Sequence, residues 1–232
     1  MGFIEDRKEA RLTEVVSGKI LSNRTYNFVL GTVLLYGIIA NVILTMLIGD
    51  KLNDINPIAF IIGYFVLGIT GIVISTKSHN PLISFFGYNL VVVPVGTVVS
   101  MVVSAYVKEG NIGIVFQAIL YTAIVTGIMV CLSIIYPQFF SKIGGILLAC
   151  LIGLIIAEIV AIFVFPGTQV VTAWIGAILF SLYIGFDYWK AQQYPKTLDN
   201  AVDSALDIYL DIINLFLRIL KILGNSRSSS KK

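Results

Sequence analysis

The chain has 232 residues, 57% of them hydrophobic and only 12% charged, with a mean hydropathy of +0.92. A soluble domain of this length carries about a quarter charged residues, so the composition implies one integral membrane domain and leaves no room for a separate soluble one. A net charge of +3, most of it near the termini, speaks to membrane orientation rather than to a nucleic-acid partner.

Residues 1–24 mix charges of both signs and contain no apolar run of signal-peptide type. Arg7, Lys8, Arg11, Lys19 and Arg24 favour a cytoplasmic N-terminus. Six apolar spans are then expected, at about 26–49, 57–75, 82–107, 112–135, 143–165 and 170–188. A polar loop with Asp50, Lys51 and Asp54 follows the first span, and Lys77–Pro81 make a turn after the second. Pro94 should kink the third. With His79 the only histidine, no Cys/His metal cluster or disulfide framework can be assembled, and Cys131 and Cys150 read as packing residues.

The fifth span repeats small residues every fourth position, at Gly145, Ala149, Gly153, Ala157 and Ala161. Such a ladder lets another helix approach closely, although Gly and Ala are frequent in membrane helices for other reasons. Glu158 lies one residue off the ladder, as a site candidate or as a satisfied structural carboxylate. Pro166-Gly167 turns the chain into the sixth span, whose last turn holds Asp187 among Phe186, Tyr188 and Trp189. Aromatics beside a charge also describe an aspartate at the membrane–water interface.

The last helix, Ala201–Leu223, organises the rest. Advancing about 100° per residue from Asp203, Asp207 falls near 40°, Asp211 near 80°, Asn214 near 20°, Arg218 near 60° and Lys221 near 0°. The polar side chains thus form one stripe. Either the helix lies on the membrane surface, or it stands among other helices with the stripe turned inward. Carboxylates in its first two turns favour the inward arrangement, because interfacial helices usually present Lys and Arg to lipid. Lys77, Lys142, Lys190 and Lys196 on alternate loops fit a cytoplasmic N-terminus. A full seventh crossing would, however, leave the basic end of the last helix outside. Residues 224–232 read as a disordered basic tail.

Leu206-Asp-Ile-Tyr-Leu-Asp-Ile-Ile-Asn-Leu-Phe-Leu-Arg-Ile-Leu220 resembles the last-helix motif of the Bax inhibitor-1 (transmembrane Bax inhibitor motif) family. Gly185-Phe186-Asp187 stands where that family ends its sixth helix, keeping only the aspartate of its motif. Asn80–Leu90 and Pro94-Val-Gly96 look like the third-helix region of bacterial members. The resemblance implies an all-α membrane protein of seven helices with the last one central. It implies a pH-sensitive calcium leak channel at the bacterial plasma membrane, with no cofactor and with Ca²⁺ as the transported ion. By motif, Asp187 and Asp211 are the paired pH sensor and gate, and the carboxylates through which Ca²⁺ would pass. Asp203, Asp207, Asn214 and Glu158 become candidate pore-lining or cation-attracting groups. The resemblance also implies a latch on the pair, an arginine in the second helix of bacterial relatives. The second span here has none, and Arg24 and Arg218 are the possible substitutes.

Two carboxylates within hydrogen-bond reach cannot both ionise cheaply, so they share a proton and titrate as a pair. Protonated, the pair ties two helices together; ionised, it repels and offers hard oxygen ligands suited to Ca²⁺. A membrane regulator acting on protein partners through the small-residue ladder is the alternative, and a proton-coupled cation carrier is a close variant. The partners expected are the lipid bilayer, Ca²⁺ and protons, with the protein itself a monomer. No P-loop, HExxH, GxSxG or nucleophile–histidine set suggests an enzyme.

Overall fold

A computed structural model describes residues 11–12, 19–48, 56–164 and 168–229 of this chain. Among them every regular element is a helix: α1 (Asn23–Ile48), α2 (Pro57–Lys77), α3 (Pro81–Lys108), α4 (Ile112–Ile135), α5 (Pro137–Phe163), α6 (Gln169–Gln193) and α7 (Leu198–Ser229). Three helices start on a proline, which costs no hydrogen bond in a first turn because its missing N–H would have no intrahelical acceptor. Asn56 completes the start of α2 by accepting from the amides of Ile58 (2.9 Å) and Ala59 (3.3 Å). At the end of α3, Gly110 takes a φ of 74° and the Asn111 amide returns to the Tyr106 carbonyl at 2.9 Å. That is the left-handed close that glycine makes without steric cost.

The expected spans are present, with three corrections at their ends, one being that the sixth helix runs to Gln193 rather than ending near Tyr188, so that Lys190 is helical rather than in a loop. The fifth helix begins at Pro137 rather than near Ile143, because Gln138, Ser141 and Lys142 form a polar first turn on an exposed surface. The seventh continues to Ser229, so residues 224–229 are helical rather than part of a disordered tail. Pro94 sits inside α3 without ending it. The loop at Asp50, Lys51 and Asp54 and the turn at Pro166-Gly167 lie outside the described residues.

Helices α1 to α6 are long and apolar enough to cross a membrane, and α7 is excluded from that set by its charges. The first six also carry large apolar side chains that stay exposed, among them Phe28, Met46, Phe65, Leu82, Phe116 and Phe163. In lipid such a surface is solvated rather than wasted. By contrast α7 holds more buried residues than any other helix.

The chain divides into two compact units. The first takes residues 1–105 and 191–209. Its core includes Tyr26, Tyr88, Val91, Val92, Leu206 and Tyr209. There α2 and α3 touch backbone to backbone: a Cβ added to Gly71 would stand 2.6 Å from the Gly87 carbonyl oxygen. The second unit takes residues 106–190 and 210–232. In it Gly144 leaves space for the Phe186 ring and Gly185 for Phe140.

The ladder on α5 does not serve packing of this kind. Gly145, Ala149, Gly153 and Ala157 are exposed, and only Ala161 is buried. No atom would come within 4 Å of a Cβ on Gly145 or Gly153. Cys131 and Cys150 are likewise exposed, so they are not packing residues.

Candidate functional site

Asp187 is not an interfacial aspartate in water. It lies in the last two turns of α6 with 7% of its surface exposed. Asp211, on the part of α7 that belongs to the same unit, is also 7% exposed. The Tyr183 hydroxyl, one helical turn before Asp187, lies within electrostatic reach of both carboxylates. Lys190 donates to Asp187 Oδ1 at 2.5 Å from one turn further along α6. Its ammonium also stands 5.5 Å from the centre of the Phe186 ring. A carboxylate at membrane depth costs about 3 kcal/mol when alone, and a cation three residues on offsets part of that. Lys190 was read from the sequence only as an orientation marker. Its spacing from Asp187, three positions along a helix, was the signal that it faces the carboxylate.

Another charged contact of this unit joins α5 to α7. Arg218 grips Glu158 with both ends of its fork, Nη1 to Oε1 and Nη2 to Oε2, the latter at 3.0 Å. Gly176 makes the approach possible, since a Cβ there would stand 2.9 Å from Arg218 Nε. Arg218 therefore has Glu158 as its acid partner, and a bidentate pair of this geometry is among the stronger ionic contacts. Asn214 turns its amide back to the Leu210 carbonyl on its own helix at 2.8 Å. A cavity of about 360 Å³ is lined by the largely apolar side chains of Met129, Leu132, Tyr136, Phe139, Phe140 and Leu182.

In the first unit the acidic face of α7 is buried and bonded. Ser84 Oγ donates to Asp199 Oδ1 at 2.5 Å, and Ser75 Oγ donates to Asp203 Oδ1. Asp203 is 1% exposed. Arg11 reaches both Asp207 Oδ2 (3.2 Å) and Asp203 Oδ2 (4.0 Å). Further along, Asn41 and Tyr209 exchange hydrogen bonds of 2.8 and 3.1 Å. Arg24, the other latch candidate, is exposed in the first turn of α1. The guanidinium that meets Asp203 and Asp207 was thus missed. Nothing local marks Arg11, whose partners lie at the other end of the sequence.

Between α6 and α7, Lys196 caps the helix it follows. Its ammonium donates to the carbonyls of Ala191 (3.1 Å) and Gln192 (2.8 Å) and lies 4.5 Å from the Tyr26 ring centre. A cation at a helix C-terminus meets the negative end of the helix dipole. Burial pushes the Lys196 ammonium down to about 8.

Among the described residues no three His, Cys, Asp or Glu side chains gather into a resident metal site.

Comparison with known proteins gives one family. The model for "Inhibitor of apoptosis-promoting Bax1" matches residues 19–228. An uncharacterized protein of Helicobacter pylori is 35% identical over 120 residues, 51% of this chain and 51% of that protein. Mouse Protein lifeguard 4 is 29% identical over 160 residues, 68% of this chain and 66% of its own length. Bax inhibitor 1 of Schizosaccharomyces pombe is 39% identical over 88 residues, 37% of this chain and 32% of its own. The matched region spans about half the length of the Helicobacter relatives.

Proposed function

This chain belongs to the Bax inhibitor family, and from that premise we propose that it is a passive, pH-sensitive leak channel for Ca²⁺, gated by Asp187 and Asp211. The observation that carries the reading is the burial of both carboxylates in one unit, with Lys190 on Asp187. Two buried carboxylates and one ammonium form a set whose charge changes with a single proton. With the proton, the pair holds α6 to α7. Without it, the carboxylates repel, and Lys190 and Ca²⁺ compete for the same oxygens. In this reading Asp203 and Asp207 draw cations toward α7, and Glu158 with Arg218 holds α5 against it.

The test is Ca²⁺ entry into liposomes containing only this protein, scanned from about pH 5 to 8, where folded proteins are generally most stable. Flux above empty vesicles that changes sigmoidally with pH supports the leak channel. Folded protein with no flux at any pH rejects it. Proton movement coupled to each cation would convert the reading to a carrier.

One observation favours a second reading. The exposed face of Gly145, Ala149, Gly153 and Ala157 is open for a helix of another membrane protein, which suits a non-transporting regulator. In that case bulky substitutions on this face abolish partner binding, and vesicles show no flux.

A further inference from the structure

Arg11 is 2% exposed, and its whole guanidinium is engaged by the start of α7 and the segment before it. Nε donates to Asn200 Oδ1 at 3.1 Å. Nη2 donates to the Asn200 carbonyl at 3.1 Å and to Ser204 Oγ at 2.6 Å. Nη1 donates to Asp207 Oδ2 at 3.2 Å, while Asp203 Oδ2 stands 4.0 Å from Nε. The Tyr194 ring covers the guanidinium with its centre 4.0 Å away. Asn200 then donates back to Arg11's own carbonyl at 3.1 Å, so backbone and side chain are held together. A planar fork bonded along its edge and stacked on an aromatic face is a socket built for arginine, not a chance surface pair.

The guanidinium also sits on oxygens that a divalent cation would need. Asp203 gives one oxygen to Ser75 and turns the other toward Arg11, and Asp207 gives Oδ2 to Arg11. We propose that Arg11 is an internal counter-ion that keeps the acidic first half of α7 closed to cations, and that Ca²⁺ entering at Asp203 and Asp207 displaces it. The proposal rests on the leak reading, in which those carboxylates attract the transported ion. A buried charge removed from its partners is costly, so exchange of one cation for another is the route by which the socket opens.

Leu12 is 45% exposed and accepts a spin label as Leu12→Cys, in a background of Cys131→Ala and Cys150→Ala because both native thiols are exposed. In lipid nanodiscs, millimolar Ca²⁺ mobilises this label in the otherwise native chain and fails to do so in Asp203→Asn/Asp207→Asn. In proteoliposomes Arg11→Ala raises Ca²⁺ flux at least about fivefold, the lower end of ordinary coupling between sites. Arg11→Lys, which keeps the charge but loses the fork, raises it less.

A label that stays immobile at saturating Ca²⁺ overturns the proposal, and this arm keeps Arg11 in place, so it holds even where Arg11→Ala does not fold. Where the wild type conducts, unchanged flux in folded Arg11→Ala overturns it equally. Mobilisation of the label without any wild-type flux defeats the leak reading and leaves the counter-ion exchange standing.

Discussion

At Asp187 the decisive neighbour is Lys190, whose ammonium lies 2.5 Å from Oδ1 and offsets part of the cost of burying that carboxylate. Lys190→Met leaves the carboxylate without this cation and lowers stability by about 1–3 kcal/mol, read from thermal unfolding in detergent. Glu158 and Arg218 carry a parallel expectation. Arg218→Gln leaves the half-buried Glu158 without its bidentate partner and lowers stability by about 1–3 kcal/mol, the scale of a lost charge-assisted hydrogen bond. Thermal unfolding in detergent measures the loss, and Glu158→Gln/Arg218→Gln recovers part of it. Lys196 gives a pH signature outside the membrane spans. Its folded value of about 8 lies below the ordinary 10.5. Between those values the unfolded chain holds more protons than the folded one, so stability rises with pH there. The wild type should gain on Lys196→Met across that window in paired unfolding titrations, and lose the gain as pH falls through 8.

Among the elements, α2 and α3 meet through Gly71 and Gly87, whereas no atom would come within 4 Å of a Cβ on Gly145 or Gly153 of the α5 ladder. Gly71→Ala and Gly87→Ala should each cost about 1–3 kcal/mol, as overpacking does. Gly145→Ala and Gly153→Ala should leave the same unfolding curve unchanged. The sequence alone does not distinguish the α5 ladder from Gly71 and Gly87 as an internal contact, for a physical reason. Spacing shows that glycines share a face but not whether that face meets protein or lipid, since both are apolar. Helix α7 was more legible. Its stripe is extreme in polarity against an apolar chain, and a carboxylate in lipid has few places to go, so periodicity alone pointed inward. The start of α5 was less legible, because Gln138, Ser141 and Lys142 look like a loop until Pro137 is taken as a first helical residue. The assignment of Asp187 and Asp211 as a pair comes from a motif; the structure buries each of them, in the same unit. Arg11 could not be found this way. Its contacts to Asn200, Ser204 and Asp207 join distant segments, and a lone arginine in a mixed-charge stretch carries no periodicity.

For the whole molecule, composition was sufficient to establish the class. Six apolar helices long enough to cross a bilayer place it among multi-pass membrane proteins, and its family is that of the Bax inhibitors. What distinguishes this chain is buried or half-buried charge, each group held by a named partner: Lys190 on Asp187, Glu158 on Arg218, Arg11 on Asp207. Such placement costs stability and calls for a use. The most direct measurement is the pH profile of Ca²⁺ flux in proteoliposomes carrying Asp187→Asn or Asp211→Asn, compared with the wild type. Each substitution keeps the shape of the side chain and removes one member of the proton-sharing pair. The leak-channel account predicts that the wild-type sigmoid flattens in both variants while the proteins remain folded. A sigmoid of unchanged amplitude and midpoint in both would contradict it.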